Sequence, residues 1–244
     1  MSDASPKRGF SILRTTLRLL LIGLCFAIWY LLIYPKSPLT NAWNPFTPLN
    51  VQDSFTPLTK WKLQRALGDA ESCLATLETG ARVRLLPDHV ENAQCHIRPQ
   101  VSLSQAGLAE LEPLNTRCQT ALRVTMWERH GIQPAALRHL GQEVRQITHF
   151  SSYNCRQMRT TQGSTGRMST HATADAIDIR GFILADGERI NLLDHWEAPA
   201  PKSAFLKDVR DSACEWFRVT LSPDYNRLRA DHFHLQHTGW GLCR

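Results

Sequence analysis

The sequence lacks the short motifs that mark several large enzyme classes. It contains no Gly-rich phosphate-binding loop, no G-x-S-x-G nucleophile elbow and no convincing cysteine nucleophile. These absences argue against P-loop nucleotide hydrolysis, α/β-hydrolase chemistry and cysteine-protease chemistry. No internal repeat is present either, which argues against a solenoid or a propeller.

The net positive charge is small outside the N-terminus. The formal net charge is +6 over 244 residues, and the first 34 residues supply +3 of it through Lys7, Arg8, Arg14 and Arg18 against Asp3. The remaining surplus is too small for the basic surface of a nucleic-acid-binding protein, so we expect no nucleic-acid partner. The hydrophobic content of 43% is ordinary and allows a core for one or two domains.

A membrane-targeting segment follows the basic N-terminus. Residues 19–34, LLLIGLCFAIWYLLIY, form an uncharged run that ends at Pro35. A helix rising about 1.5 Å per residue would cover most of a hydrocarbon core of about 30 Å. Because no convincing small-x-small cleavage site follows, we expect a transmembrane signal anchor, with a cleaved signal peptide as the alternative. The positive-inside rule then predicts a cytoplasmic tail, residues 1–18, and a periplasmic C-terminal part on a single-pass inner-membrane protein.

Cysteine usage agrees with export. Six of the seven cysteines lie beyond the anchor, and no C-x-x-C pair suggests a zinc ribbon or a redox dithiol. An even number of cysteines in an oxidising compartment predicts disulfides. Of the possible pairings, proximity along the chain favours Cys73–Cys95 and Cys214–Cys243, which leaves Cys118–Cys155 as the remaining pair. Cys25 lies inside the anchor and is expected to be an inert thiol.

The chain after the anchor divides into a linker and one domain. Residues 35–57 contain five prolines without helical or strand periodicity, which predicts a semi-extended tether before a domain over 58–244. Apolar spacing predicts a helix over 59–78 and another from Pro113 to about Gly131. Further expected elements are a helix from Pro134, strands within 143–152, 176–184, 218–222 and 231–237, and a helix within 204–217. Without a βαβ rhythm, this order predicts an α+β fold with a mostly antiparallel sheet and flanking helices.

A first chemical motif joins His171 to Asp178 across the small residues of HATADA. In a straight strand, residues seven apart point to opposite faces, so the segment must turn before the two side chains can converge. Asp178 lies between Ile177 and Ile179 in an apolar strand. A buried carboxylate of this kind needs a metal or another cation beside it.

A second motif is the stretch from Asp231 to Leu235, DHFHL. Strand periodicity places His232 and His234 on one face and the two apolar side chains on the other. Two histidines and one carboxylate form a ligand set suited to zinc, with a fourth position open for water. Such an open site is typical of catalysis, because zinc acidifies its bound water and polarises a carbonyl oxygen.

The two motifs together resemble a known signature. The pattern S-x-H-x-x-A-x-A-x-D, followed later by D-H-x-H, is similar to that of the D-alanyl-D-alanine carboxypeptidase, lysostaphin and hedgehog-like zinc fold. The segments SYNCR, STHATADAIDIRGF, LADGERI, FLKDVRDSAC and RADHFHL more narrowly resemble the bacterial extensin-like C-terminal domain family, over roughly residues 73–243. The resemblance implies a disulfide-bonded zinc-peptidase-like domain.

The resemblance also implies residue roles. The zinc ligands would be His171, Asp178 and His234, with Ser169 supporting the first motif at the substrate side. Asp231, three residues before the last ligand, would be the general base, and His232 would stabilise the oxyanion. Because regular strand geometry turns Asp231 away from His234, His232 is the alternative base.

Two further positions carry implications from the resemblance. Arg156 corresponds to the arginine that holds a substrate carboxylate or carbonyl, with Arg159 and Arg167 as competitors for that role. Ala174 stands where the carboxypeptidase pattern usually has glycine, and this departure is expected to alter the turn between the ligands without removing either ligand.

The leading hypothesis is a membrane-anchored periplasmic zinc hydrolase that cleaves amide bonds in the peptide stems or cross-links of peptidoglycan. The alternative is a non-catalytic zinc-stabilised module that binds or scaffolds the cell wall. Asp231 and His232 favour catalysis, since a scaffold needs neither. A domain held by disulfides without metal would leave the buried charge of Asp178 unexplained. The sequence leaves the oligomeric state open.

Overall fold

The computed structural model describes residues 7–34 and 36–244. The helices are α1 (Lys7–Ile33), α2 (Pro57–Ala66), α3 (Ala70–Glu78), α4 (Cys118–Trp127), α5 (Gln133–Leu140), α6 (Leu192–His195) and α7 (Lys202–Ala213). The strands are β1 (Ala81–Leu85), β2 (His89–Asn92), β3 (Cys95–Ile97), β4 (Gln100–Ala106), β5 (Ala109–Arg117), β6 (Val144–Ser151), β7 (Gln157–Thr160), β8 (Gly163–Met168), β9 (Ala176–Leu184), β10 (Arg189–Asn191), β11 (Val219–Leu221), β12 (Phe233–Gln236) and β13 (Leu242–Cys243). Short helical turns cover Asn41–Trp43, Thr170–Thr173 and Arg227–Arg229, and a π-helical turn, Glu128–Ile132, continues α4.

Helix α1 contains the expected apolar segment. Its stretch Ile12–Ile33 is 22 residues long with a mean hydropathy of 2.2, and none of it is buried within the protein. It is long and apolar enough to act as a membrane anchor or a signal sequence. The helix begins well before residue 19, because Ile12, Leu13 and Leu17 extend the apolar run toward the N-terminus. The first six residues of the expected cytoplasmic tail, and Pro35, lie outside the described residues.

Residues 36–56 do not form the semi-extended tether expected from their prolines. Leu49 and Val51 are buried in the main hydrophobic core. The backbone N–H of Val51 donates to Thr79 Oγ1 at 2.9 Å, and Thr56 Oγ1 donates to the carbonyl of Ala42 at 2.9 Å. Proline content correctly indicated irregular backbone, but the apolar side chains between the prolines still pack against the domain.

Two helix boundaries also differ from the expectation. The helix expected over 59–78 is divided into α2 and α3, because Asp69 caps the second helix by accepting from the backbone N–H of Ser72 at 2.8 Å. Pro113 lies in β5, within a stretch where the β4–β5 register shifts, and α4 begins only at Cys118. Such an irregular stretch tolerates proline, since no ladder hydrogen bond requires its missing N–H.

The main sheet confirms the α+β expectation. Among the described residues it has nine strands, in the order β1-β4-β5-β6-β9-β12-β11-β13, with β10 pairing beside β9. Its pairs are antiparallel except β5–β6 and β11–β13. The hairpins β2–β3 and β7–β8 form separate two-stranded sheets. The expected short helix α5 and the strands β6, β9, β11 and β12 are all present.

One face of the sheet packs on helices and carries the core. Trp127 of α4 packs edge-to-face against Phe182 of β9, which in turn packs against Phe205 of α7. On β9, Ile177 and Ile179 are fully buried on this side. Because strand side chains alternate, Asp178 and Arg180 lie on the opposite face. The β6–β9 register shifts at Arg180, which returns Phe182 to the core face.

Three disulfides join the six cysteines beyond α1, and two of the expected pairs are wrong. The bridges are Cys73–Cys118, Cys95–Cys155 and Cys214–Cys243. Helix α3 packs against α4, which brings the first pair together across 45 residues, and β3 lies beside the loop after β6, which accounts for the second. Only the last pair, hereafter the C-terminal disulfide, agrees with sequence proximity. Cys25 is a free, exposed thiol on α1.

Candidate metal site

A tight turn brings the first motif together, as its sequence requires. Ser169 accepts a hydrogen bond from the backbone N–H of His171 at 3.3 Å and caps the helical turn Thr170–Thr173. Ala174 then adopts a left-handed conformation with φ 51°. The chain therefore reverses between His171 and the start of β9, and both ligand candidates reach the same point.

The missing glycine of the resemblance leaves the turn intact. Ala174 keeps the left-handed backbone that glycine would adopt more readily, at a cost of about 1–2 kcal/mol for an L-residue. Its carbonyl accepts a hydrogen bond from Thr120 Oγ1 at 2.8 Å, and its side chain is fully buried. The surrounding contacts thus hold the turn despite the unfavourable φ.

Strand pairing supplies the third ligand candidate. In the antiparallel pair β9–β12, His234 lies directly opposite Asp178. Directly paired residues on the same face of a sheet have Cβ atoms about 4.5–5.5 Å apart. The register of two strands distant in sequence therefore fixes the separation of these side chains.

The three side chains of the ligand triad, His171, Asp178 and His234, converge on one point. His171 Nε2 lies 3.2 Å from His234 Nδ1 and 3.3 Å from Asp178 Oδ2. His234 Nδ1 lies 2.9 Å from Asp178 Oδ1. Ligand atoms about 2.05 Å from a tetrahedral zinc ion are about 3.3 Å apart, so these spacings fit a zinc site.

Hydrogen bonds behind the triad orient both imidazoles. His171 Nδ1–H donates to the carbonyl of Ser152 at 2.8 Å, which leaves the Nε2 lone pair facing the triad. Gln236 Nε2 donates to the carbonyl of Thr238 at 2.9 Å, so its Oε1 faces His234 Nε2 and accepts from it at 3.3 Å. Two nitrogen lone pairs and a carboxylate can therefore face one another, an arrangement that could hold a metal ion.

The electrostatics of the triad match those of metal ligands. Burial opposes the ionisation of Asp178, but in the metal-free protein protons on the facing nitrogens of His171 and His234 outweigh it, through hydrogen bonds and charge, and hold its pKa well below the usual range. Burial lowers the pKa of His234, against the opposing effect of Asp178. A carboxylate and a neutral imidazole are the protonation states that bind a metal.

His232 lies beside the triad, while Asp231 lies behind His232. His232 Nε2 is 3.6 Å from Asp178 Oδ1, and the side chain is largely buried. Its Nδ1–H donates to Asp231 Oδ1 at 2.7 Å, and its Nε2 accepts from Arg229 Nη1 at 2.8 Å. Because the two ring nitrogens point in different directions, Asp231 contacts His232 on the side away from Asp178. Strand β12 begins only at Phe233, so Asp231 and His232 precede the regular strand.

The sequence of residues 71–244 matches the family described as Extensin-like protein C-terminus. The chain belongs to this family. The match covers the triad, His232 and all six bridged cysteines, and it begins after α2. Searches of curated proteins and of solved structures gave no match to the chain.

The extensin-like domain places the remaining expected site residues differently. Ser169 is buried, and its hydroxyl oxygen accepts from His171 N–H, so it supports the turn rather than offering a substrate contact. The backbone carbonyl of Arg156 accepts from Ser169 N–H at 3.0 Å, and Arg156 Nη1 donates to the carbonyl of Gln157 at 3.2 Å. Its competitors Arg159 and Arg167 are exposed on the β7–β8 hairpin.

Three residues of the extensin-like site escaped the sequence reasoning. Gln236 follows His234 by two positions on the same strand face, and this spacing was the available signal. Ser152 contributes its backbone carbonyl, which no side-chain pattern reveals. Burial lowers the pKa of Arg229, with Asp178 opposing and Arg156 reinforcing the shift, which places Arg229 in the field of Asp178.

Proposed function

We propose that the protein is a membrane-anchored, zinc-dependent peptidoglycan hydrolase that cleaves amide bonds in peptide stems or cross-links on the periplasmic side of the inner membrane. The observation that carries the proposal is the convergence of His171 Nε2, His234 Nδ1 and the Asp178 carboxylate, with hydrogen bonds that turn the lone pairs of both rings toward one point. Three ligands that leave a position open are typical of catalytic rather than structural zinc. This likeness also favours the zinc-peptidase fold.

The residues around the triad suit hydrolysis of an amide. When bound, zinc would polarise the substrate carbonyl and acidify a water molecule. His232 is the better general base, because its Nε2 faces the triad while its Nδ1–H is held by Asp231. Asp231 then acts as the positioning residue: it fixes the ring tautomer and stabilises the imidazolium that forms.

Two arginines complete the proposed site. Arg229 donates to His232 Nε2, and the charge of Arg156 lies close enough to Arg229 to lower its pKa. When His232 takes a proton, Arg229 can no longer donate to that nitrogen and is free to bind negative charge on the substrate. Together with Arg156 it would hold a carboxylate or the developing oxyanion, since guanidinium groups bind carboxylates with paired donors.

Zinc analysis and digestion of purified sacculi test this mechanism. His232→Ala should retain zinc yet release new amino termini about 10²- to 10⁴-fold more slowly, because the general base is lost. Asp231→Asn should retain zinc and slow release by a smaller factor. His139→Ala is the matched control, since that histidine pairs with Asp208 away from the triad. Zinc retained at full occupancy in an Asp178→Ala, His234→Ala double variant would contradict the site itself.

The membrane anchor is the second part of the proposal. Asn44 Nδ2 donates to the carbonyl of Leu32 at 2.8 Å, which ties the domain to the end of α1. Since residues 36–56 pack on the domain rather than extend from it, the site would act on wall close to the membrane. Protease protection of spheroplasts tests the orientation: external protease should digest the disulfide-bonded domain.

One observation favours a non-catalytic zinc-stabilised scaffold as the second candidate. His232 Nε2 already accepts a hydrogen bond from Arg229, which occupies the nitrogen that a general base needs. A scaffold would bind zinc and sacculi without releasing amino termini. In that case His232→Ala would change neither zinc binding nor sacculus binding. Release of new termini by the parent protein would exclude this candidate.

A further inference from the structure

A groove runs along the exposed face of the sheet, beside the candidate site. It has two adjoining parts, with volumes of about 230 and 420 Å³, which share Glu112 and His149. The first part is bordered by Arg180 and Arg189, and the second includes Phe150 and Ser151. Hereafter the outer groove denotes the surface formed by Glu112, Gln146, His149, Phe150, Arg180 and Arg189.

Side-chain contacts connect the outer groove to the candidate site. The ring of Phe150 packs edge-to-face against His232 with a centroid distance of 5.7 Å. The Arg180 guanidinium lies 5.4 Å from the centre of the same ring. Arg180 follows Asp178 by two residues on one strand, so the two side chains share a face of the sheet. The groove therefore adjoins the triad.

Strand geometry gives the outer groove a length. Arg189 of β10 is paired with Ile183, five residues beyond Asp178 on β9. At about 3.3 Å per residue, this separation is about 17 Å, which an extended peptide of about five residues would span. Strands β5 and β6 share only the pair Glu110–Gln146, and beyond it His149 Nε2 donates to the carbonyl of Glu112 at 3.0 Å.

Charge in the outer groove is predominantly positive and unpaired. Arg180 and Arg189 are exposed, and within residues 7–34 and 36–244 neither forms an ion pair with an acidic side chain. Glu112 is the opposing acidic group in the groove. Two free guanidinium groups favour a ligand that carries carboxylates.

We infer that the outer groove binds an extended acidic peptide, whose side-chain carboxylates contact Arg180 and Arg189 while one end lies at the triad. This inference rests on the proposed function for the identity of its ligand as a substrate segment. The carboxylate contacts are solvent-exposed, so each is expected to change affinity only severalfold.

Fluorescence anisotropy with two labelled peptides tests the inference. Fluorescein-labelled Ala-Glu-Ala-Ala and Ala-Gln-Ala-Ala differ by one carboxylate, and the full-length protein is kept metal-free so that turnover plays no part. The glutamate peptide should bind about threefold to fivefold more tightly. The Arg180→Gln, Arg189→Gln double variant should lose that preference, whereas Glu112→Gln should increase it. Arg84→Gln, an exposed change on β1, is the control and should change nothing.

The outcomes separate the groove from the proposed function. Equal binding of both peptides, or a preference that survives the double arginine variant, would overturn the groove whether or not the protein digests sacculi. A preference that depends on Arg180 and Arg189 would support the groove even if the parent releases no amino termini, and only the proposed hydrolysis would then be wrong.

Discussion

Gln236→Met is expected to weaken zinc binding while leaving the fold intact. Gln236 Oε1 accepts from His234 Nε2 at 3.3 Å and from Thr170 Oγ1 at 3.0 Å. Methionine fills a similar volume but has no oxygen to accept either of these hydrogen bonds. In the metal-free protein His234 can move its proton to Nδ1, which lies 2.9 Å from Asp178 Oδ1, and so recover a hydrogen bond. A metal on Nδ1 forbids that exchange, so the unsatisfied N–H destabilises mainly the metal-bound state.

The size of the effect follows from this difference between the two states. A buried donor left without an acceptor costs about 1–3 kcal/mol. Loss of a hydrogen-bond partner behind a metal ligand lowers metal affinity by about 10- to 100-fold, which agrees with that range. Gln236→Glu keeps an acceptor for His234 and should retain the parent's affinity or exceed it.

Competition with a chelator of known zinc affinity, on the purified full-length protein, measures the effect. Gln64→Met on the exposed side of α2 is the control for a surface methionine and should bind zinc as the parent does. Thermal unfolding of the metal-free variants checks that the fold is retained. If Gln236→Met binds zinc as tightly as the parent, then the orientation of His234 assigned here is wrong. If the parent binds no zinc, the whole site is refuted.

Three other changes address the turn, a buried acid and a disulfide. The Ala174→Gly variant should be about 1–2 kcal/mol more stable to denaturant than the Ala172→Gly variant. Both changes remove a buried methyl group, but only the change at Ala174 relieves a left-handed φ. Equal stabilities of the two variants would show that Ala174 is not strained. Burial raises the pKa of Glu128 from 4.5 to about 7, so its contribution to stability is present below about pH 4.5 and is lost as pH rises through 7. As pH rises from 4.5 to 8, the free energy of unfolding of Glu128→Gln should therefore increase relative to the parent's by up to about 3 kcal/mol, measured by denaturant titration. A stability difference that does not change with pH would contradict this prediction. Replacing Cys95 and Cys155 together by serine should lower zinc affinity in the chelator assay, because that bridge anchors the loop that carries the carbonyl bound by His171. Removing the C-terminal disulfide should not lower zinc affinity. An equal loss of zinc affinity in both variants would show that the effect of the Cys95–Cys155 bridge is not specific.

Sequence patterns were reliable where the contacts are local. The apolar run of residues 19–34 predicted α1, and the apolar stretch AIDIRGFIL predicted β9 with Asp178 inside it. The small residues between His171 and Asp178 predicted a turn, and a turn is present. Each of these features depends on the chemistry of a few consecutive residues, which a periodic pattern records directly.

Pattern reasoning failed where irregular backbone still packs. The prolines of residues 36–56 indicated the absence of regular structure, and this was misread as the absence of packing, whereas Val51 is fully buried. Pro113 was placed at a helix start but lies at an irregularity of β5. Composition describes the backbone of a segment, and only the shape of the neighbouring core decides whether its side chains are buried.

The sequence by itself determined which residues have the chemistry of a metal site, because imidazole and carboxylate groups at these spacings are visible in the chain. Only the tertiary structure decided how they meet. The register of β9 against β12 sets His234 opposite Asp178 across 56 residues of chain, and the carbonyl of Ser152 selects which nitrogen of His171 faces them. Two of the three disulfides likewise followed helix and strand packing rather than proximity. Contacts between distant segments depend on how the whole core folds, and no local pattern encodes them.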